Sequence, residues 1–281
     1  MGIVRAIMIG DVVGEPGLKV LERLLPAIIK ENSVDFAVVN GENAAGGFGL
    51  TPDLLERIFA AGADAVTGGN HIWEKREIWP LLESEARLIR PMNYPGYPEG
   101  GIGKGWVKTE KPTRGGGILV SWLVINLQGR EFMSPLDCPF RTFDAFEAGL
   151  KKEKSGDDQA AAPIEKKPII LVDFHAESSR EKEALAYYLD GRVSVVAGTH
   201  THVQTADERI LPKGSAYITD LGMTGVLDGV IGMDPKICLD RARNQVLYRM
   251  EIAAAADNSA VQGIIVEIES ESGKALSVRR L

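Results

Sequence analysis

The chain has 281 residues, 44% of them hydrophobic and 25% charged, with a formal net charge of −7. That length buries a sizeable core without disulfides or a structural metal, and the composition is that of a globular protein. The acidic balance argues against a nonspecific nucleic-acid binder, which needs Lys and Arg for its phosphate contacts. It leaves a nucleotide substrate open, because a local metal site supplies positive charge that a residue count misses.

The two cysteines, Cys138 and Cys238, form no CxxC pair and read as buried free thiols. The N-terminus enters a strand pattern at once, without a charged segment, apolar segment and cleavage site in series. No apolar run approaches the ~20 residues of a membrane span. A cytoplasmic location without membrane contact is therefore expected, and a homo-oligomer is left open.

Ile3–Gly10 reads as a buried strand that delivers Asp11 at its C-terminal end. A helix opens at Glu15-Pro16, with proline tolerated in the first turn. Leu18, Leu21, Leu24, Leu25, Ile28 and Ile29 recur at helical spacing, and the helix ends near Asn32. Asp35–Asn40 is a second strand delivering Gly41-Glu42-Asn43. Gly46, Gly47 and Gly49 mark a loop. Thr51-Pro52 is an N-cap and N1 proline for a helix with Leu54, Leu55, Ile58 and Phe59 on its apolar face. Ala63–Thr67 is a third strand, ending in Gly68-Gly69-Asn70-His71. A helical stretch with Trp73, Ile78, Leu81 and Leu82 follows. The β-α-β-α-β-α alternation predicts a mostly parallel sheet with helices on its faces, and functional groups gather at the carboxyl ends of such strands.

Prolines and glycines interrupt residues 91–140, within which Gly117–Asn126 is a strand of a second sheet. Phe143–Leu150 reads as a helix. Lys151–Lys167 reads as an exposed loop or helix extension and a tolerated insertion. Pro168–Asp173 is a buried strand delivering His175, Ser179 is placed to cap a helix over Arg180–Leu189, and Val193–Val196 leads into Gly198-Thr-His-Thr-His202. Arg209–Leu211 and Ser215–Thr219 read as paired strands, Asp220–Gly225 as a turn-rich loop. Gln245–Ile252, Val261–Ile268 and Ser277–Leu281 read as closing strands. Nothing divides the chain, so residues 1–281 are expected to form one domain.

All four histidines of the chain, His71, His175, His200 and His202, follow strand-like runs. With Asp11, Glu42, Asn43 and Asn70 they make a mixed oxygen and nitrogen donor set without thiolate. Such a set suits Mn, Fe, Zn or Co better than Mg or Ca. Eight groups exceed one tetrahedral site but fit two metals that share a carboxylate, a recurring device for hydrolysing phosphate esters. Asp173 and Glu177 flank His175 and read equally as partners of an imidazole or as salt bridges and caps. Met223 is a candidate pocket residue. Trp73, Trp79, Trp106 and Trp122 read as packing residues. The glycines of Gly10-x-x-x-Gly14 and Gly46-Gly47-x-Gly49 fail the spacing of a dinucleotide fingerprint, which leaves a Rossmann domain a distant alternative.

The order Gly10-Asp11, Gly41-Glu42-Asn43, Gly69-Asn70-His71, His175 and Gly198-Thr-His200-Thr-His202 resembles the calcineurin-like metallophosphoesterase superfamily, whose signature is GD-x-H, GD-x-x-D, GNH-[DE], a lone H and GH-x-H. Within it, Gly10-Asp-Val-Val-Gly14, Asn40-Gly-Glu-Asn-Ala44, Asp173-Phe-His-Ala-Glu177, Gly198–Thr205 and Asp220-Leu-Gly-Met-Thr-Gly225 look like the bacterial YmdB-like phosphodiesterases. Val13 stands where the superfamily has a histidine, and Glu42 where it has the bridging aspartate; the YmdB-like family shares both replacements.

The resemblance implies an α/β fold, a metallophosphoesterase-like α/β/β/α sandwich of two mixed sheets flanked by helices. It implies metal one on Asp11, Glu42, Asn43 and His202, and metal two on Glu42, Asn70, His175 and His200. Glu42 bridges, Asn43 replaces the missing imidazole, and His71 is left as general acid or transition-state cation. Iron or manganese is favoured for the two ions, as divalent or trivalent transition metals. The implied activity is cyclic-nucleotide phosphodiester hydrolysis, 2′,3′-cyclic AMP first, by in-line attack of hydroxide held between the ions. A phosphomonoesterase or nucleotidase with the same site, and a metal-organised regulatory binding protein, are the alternatives.

Overall fold

A computed structural model describes residues 2–96, 101–154, 167–254 and 258–281. The first sheet has the order β15-β14-β1-β3-β4-β5. Its strands are β1 (Ile3–Ile9), β3 (Phe36–Asn40), β4 (Ala65–Thr67), β5 (Leu88–Ile89), β14 (Gly263–Glu269) and β15 (Ala275–Arg280). The second runs β10-β11-β9-β8-β7-β6, from β6 (Trp106–Pro112), β7 (Leu119–Gln128), β8 (Ile169–His175), β9 (Val195–Thr199), β10 (Arg209–Ile210) and β11 (Ala216–Ile218). Both are mixed: each has a parallel run of four strands with antiparallel neighbours at the margin.

Strand periodicity sorts the side chains between layers. Val4, Ala6 and Met8 of β1 face Trp122, Val124, Leu171 and Val195 of the second sheet, while Ile7 and Ile9 point the other way. There they meet Leu18, Leu21, Leu25 and Ile29 of α1 (Gly14–Glu31) and Leu55 and Ile58 of α2 (Pro52–Ala60). Leu123, Ile125 and Leu127 of β7 face α4 (Pro139–Lys154) and α5 (Ser179–Leu189) through Phe143, Phe146, Leu185 and Leu189. Helices, sheet, sheet and helices therefore stack in the predicted order. Trp122 is fully buried and stacks on Phe36 with ring centroids 4.8 Å apart, which makes it core.

Several sequence expectations are corrected. A third sheet, β13-β12-β2, joins β2 (Asp11–Val12) to β12 (Met223–Val226) and β13 (Ser259–Ala260). The stretch read as a turn-rich loop thus contains β12, whose parallel pairing places Met223 opposite Asp11. β6 went unread because Val107 is its one buried apolar residue and Lys108, Thr109, Glu110 and Lys111 are polar on both faces of this edge strand. Gln245–Ile252 is no strand beyond a single bridge from Ile252 to Met233; it follows an unforeseen helix, α6 (Pro235–Asn244), across a left-handed turn at Gln245. α5 is capped by Ser178 rather than Ser179, with the Ser178 hydroxyl accepting from Glu181 N. Thr51 sits at the predicted N-cap of α2 but makes no side-chain cap bond. Both cysteines are free and half-buried rather than buried. Of the stretch 151–167, residues up to Lys154 continue α4, and 155–166 lie outside the described residues. No described helix is long and apolar enough to cross a membrane.

Candidate functional site

The carboxyl ends of β1, β3, β4, β8 and β9 meet along one seam between the two main sheets, and each contributes to the site. Asp11 follows β1 and is fully buried. Glu42 and Asn43 follow β3, Asn70 and His71 follow β4, His175 ends β8, and His200 and His202 follow β9. All eight residues singled out in the sequence are brought together.

Two convergences stand out. In the first, His175 Nε2 lies 2.8 Å from Asn70 Oδ1, 3.1 Å from Glu42 Oε1 and 3.0 Å from His200 Nδ1. The hydrogen bonds on the far side of the rings fix what these atoms carry. Thr199 donates its one hydroxyl hydrogen to Asp173 Oδ1 at 2.7 Å, so its oxygen accepts from His175 Nδ1 at 2.9 Å. That tautomer leaves a lone pair on Nε2. His200 Nε2 faces Glu177 Oε2 at 3.2 Å, which turns a lone pair of Nδ1 inward. Two lone pairs and two acceptor oxygens thus aim at one another, an arrangement that a cation satisfies. Among the described residues, Glu42, His175 and His200 are the group whose ligand atoms all lie within 4.8 Å.

In the second convergence, Asn43 Nδ2 touches Asp11 Oδ1 at 3.2 Å, Glu42 Oε1 at 3.0 Å and His202 Nε2 at 3.1 Å. His202 gives its Nδ1 hydrogen to Ile231 O at 2.9 Å, so its Nε2 is again an acceptor. Three acceptors meet one amide nitrogen, which carries only two hydrogens. Glu42 belongs to both convergences.

Burial lifts the pKa of Asp11 and of Asp173 to about 6, against the pull of neighbouring imidazoles, and raises Glu42 for the same reason. Burial also lowers His175 and takes His200 down to about 2, keeping both rings neutral. Neutral imidazole is the form that ligates metal.

The backbone is shaped to this end. His200 and His202 both have positive φ, 99° and 64°, which turns two side chains of one short segment into the same seam. Gly69 has φ 56°, and a Cβ there would overlap the Glu42 carboxylate; the glycine makes room for it. His71 donates its backbone N–H to Glu42 Oε2 at 3.0 Å while its ring stays 26% exposed, edge-on to Phe48 at 5.0 Å.

The two open alternatives at Asp173 and Glu177 resolve toward the imidazoles. Asp173 also accepts from Thr67 and Asn40, binding the ends of β3, β4, β8 and β9 into one network. Met223 packs with Val13 and Met233 in a small apolar cluster, and Val13 is core where the superfamily places a ligand.

The sequence reading missed Lys182 and Asp220. Their side chains are each 1% exposed and pair at 2.7 Å. Asp220 Oδ2 also accepts from Thr201 N and Oγ1, and Oδ1 from Gly222 N, so this buried pair holds the turn that carries both histidines. The signal was present: Lys182 precedes Leu185, Ala186 and Leu189 at the spacing of α5's buried face.

A profile of the YmdB-like protein family matches residues 7–281. A Bacillus subtilis (strain 168) protein named 2′,3′-cyclic-nucleotide 2′-phosphodiesterase is 42% identical over 277 residues, 99% of this chain and 96% of that one. The crystal structure of a hypothetical protein from Thermus thermophilus superposes with TM-score 0.82 at 38% identity, covering 99% of this chain and 98% of its own. A phosphatase structure from Mycoplasma pneumoniae gives TM-score 0.85 at 28% identity, covering 100% and 93%. Fold, motif order and overall similarity agree over nearly the full length, and the chain belongs to the YmdB-like protein family.

Proposed function

We propose that the chain is a two-metal phosphodiesterase acting on cyclic nucleotides, with 2′,3′-cyclic AMP the first substrate to test. The observation that carries this reading is the pair of acceptor convergences sharing Glu42. The substrate class rests on the named activity of the Bacillus subtilis relative. Asp11, Glu42, His202 and, with its amide turned so that Oδ1 replaces Nδ2 inward, Asn43 would hold one ion, and Glu42, Asn70, His175 and His200 the other. Iron or manganese suits these oxygen and nitrogen donors. Bound there, the pair supplies Lewis acidity to a phosphate oxygen and a lowered pKa to the attacking water.

The protein's own groups do the rest. Asp173 and Thr199 hold His175 in the tautomer that presents Nε2, and Ile231 O does the same for His202. Lys182 and Asp220 fix the turn between His200 and His202. His71, anchored to Glu42 through its backbone and open to solvent on its ring, is placed to give a proton to the departing oxygen. The chain would work as one domain in the cytoplasm, where its two unpaired cysteines stay reduced.

The phosphatase description of the Mycoplasma pneumoniae neighbour favours a second reading, a phosphomonoesterase on the same site. Assay of the manganese- or iron-loaded protein on 2′,3′-cyclic AMP and p-nitrophenyl phosphate separates the two. A higher kcat/KM on the cyclic diester, together with two metal ions per chain, is expected. Preference for the monoester would overturn the diesterase reading, and one ion or none per chain would overturn the two-metal site.

A further inference from the structure

Beside the seam lies a groove of about 370 Å³ that the proposed chemistry does not use. One wall is the glycine-rich loop after β3, through Ala45, Gly46 and Phe48. The other is the segment following α6, through Tyr248, Arg249 and Met250, with Arg241 from the last turn of that helix, and Lys75 completes the lining. The volume falls within the ~300–1,000 Å³ of small-molecule sites. The groove adjoins the site directly, because Phe48 is the residue whose ring meets His71 edge-on at 5.0 Å. The stem of Lys75 lies over Gly49, which has no Cβ to block it.

Three cations line this groove in a chain whose net charge is −7. Arg241 donates to a neutral partner, Tyr248 O, at 2.6 Å. Among the described residues, neither Lys75 nor Arg249 is paired with a carboxylate. Unpaired cations grouped in a concave site favour an anion. The exposed ring of Tyr248 and the half-buried ring of Phe48 flank them, and aromatic faces beside cations are how proteins hold a nucleotide without reading its sequence. In a 2′,3′-cyclic nucleotide both the 2′ and 3′ oxygens are tied up in the reacting diester. The 5′ oxygen is then the point where a further phosphate is attached.

We infer that this groove binds a phosphate ester on the 5′ side of the reacting nucleotide, so that 5′-phosphorylated 2′,3′-cyclic nucleotides, free or as the 3′ end of a short RNA, are better substrates than 2′,3′-cyclic AMP itself. The inference rests on the phosphodiesterase reading above and deepens it. Arg249 and Lys75 hold the second phosphate, and Tyr248 stacks on the neighbouring nucleoside where one is present.

The test uses the metal-loaded protein and three substrates: 2′,3′-cyclic AMP, its 5′-phosphorylated form, and adenylyl-adenosine ending in a 2′,3′-cyclic phosphate. Both phosphate-bearing substrates are expected to exceed 2′,3′-cyclic AMP in kcat/KM by about tenfold, the scale of one charge-assisted hydrogen bond. Arg249→Ala and Lys75→Ala should remove that advantage and leave kcat/KM on 2′,3′-cyclic AMP unchanged. A lead of the dinucleotide over the 5′-phosphorylated mononucleotide, abolished in Tyr248→Ala, identifies an RNA end as the source; equality identifies the mononucleotide. Equal kcat/KM for all three, or an advantage that survives both Arg249→Ala and Lys75→Ala, overturns the proposal. Binding of adenylyl-adenosine without the cyclic phosphate, followed by calorimetry, is the readout independent of turnover. If no substrate is hydrolysed and this binding still weakens about tenfold in Arg249→Ala, the groove stands and the phosphodiesterase reading falls. If binding is absent or indifferent to Arg249, the groove assignment falls.

Discussion

Replacing Lys182 with methionine keeps an unbranched chain of similar length on the buried face of α5 and removes its charge. Asp220 would then remain a carboxylate at 1% exposure, held by Thr201 N, Thr201 Oγ1 and Gly222 N but by no cation. Removing one partner of a buried pair costs about 3–5 kcal/mol, because the survivor keeps its desolvation penalty. A domain is stable by only about 5–15 kcal/mol, so Lys182→Met should remove a large fraction of the total. The assay is urea unfolding of Lys182→Met, Asp220→Asn and the double variant. Asp220→Asn should destabilise the native chain yet stabilise the Lys182→Met chain, since it removes the stranded charge. Lys182→Met should also lower metal occupancy, because Asp220, which anchors Thr201 between the two histidines, loses the cation that fixes it. A loss under about 1 kcal/mol for Lys182→Met, the scale of an exposed ion pair, would refute the reasoning. So would equal effects of Asp220→Asn in both backgrounds.

Thr199→Val breaks the hydroxyl link between Asp173 and His175 Nδ1, and metal affinity should fall about 10- to 100-fold in a titration with Mn. Gly69→Ala should fold, losing about 1–3 kcal/mol to backbone strain, and load less metal because the new methyl group displaces the Glu42 carboxylate. His200→Ala and His202→Ala should each lower bound metal toward one ion per chain. Anomalous scattering should find the survivor beside Asp11 in His200→Ala and beside His175 in His202→Ala. The same surviving position in both variants would dismantle the two-subset assignment.

Much of this site was legible because strand ends are written in the sequence as apolar runs followed by Gly and a polar residue. Asp11, Glu42, Asn70 and His200 each follow that pattern, His175 ends an apolar run without the glycine, and topology alone then brings them to one seam. The layers were legible for the same reason: β1 and β7 alternate cleanly between two cores. What stayed hidden depends on contacts distant in sequence. β2 and β12 are two- and four-residue strands that exist through pairing with each other, across more than two hundred residues. α6 buries none of its side chains, so it has no apolar stripe to read, and the alternation of Gln245–Ile252 lies on an exposed segment. The groove built by that segment was invisible from the sequence for the same cause. The tautomers of His175, His200 and His202 needed three far partners, Thr199, Glu177 and Ile231, that no spacing rule supplies.

The seam also carries a charge imbalance that tests the metal reading without any assay of turnover. Asp11, Glu42, Asp173 and Asp220 are buried carboxylates at 0–1% exposure, and the buried ammonium among them, Lys182, is engaged by Asp220. The raised pKa values of Asp11, Glu42 and Asp173 express first of all the cost of burying these charges. Glu42 is the sharpest case. In Glu42→Gln the amide oxygen still accepts from His71 N, and the new N–H₂ faces the lone pair of His175 Nε2, where Glu42 Oε1 now stands at 3.1 Å. A buried charge disappears and His175 Nε2 gains a donor, while Asn43 Nδ2, which loses Glu42 Oε1 as an acceptor, keeps Asp11 Oδ1 and His202 Nε2 for its two hydrogens, so the metal-free variant should be more stable than the metal-free native chain by about 1–3 kcal/mol. The same change removes the carboxylate shared by both convergences, so Mn should raise the melting temperature of the native chain and leave that of the variant nearly unmoved. A site kept for function at the expense of stability shows this opposition of signs. A structural carboxylate would show the reverse: Glu42→Gln would destabilise the metal-free protein, and Mn would shift both melting curves alike or neither.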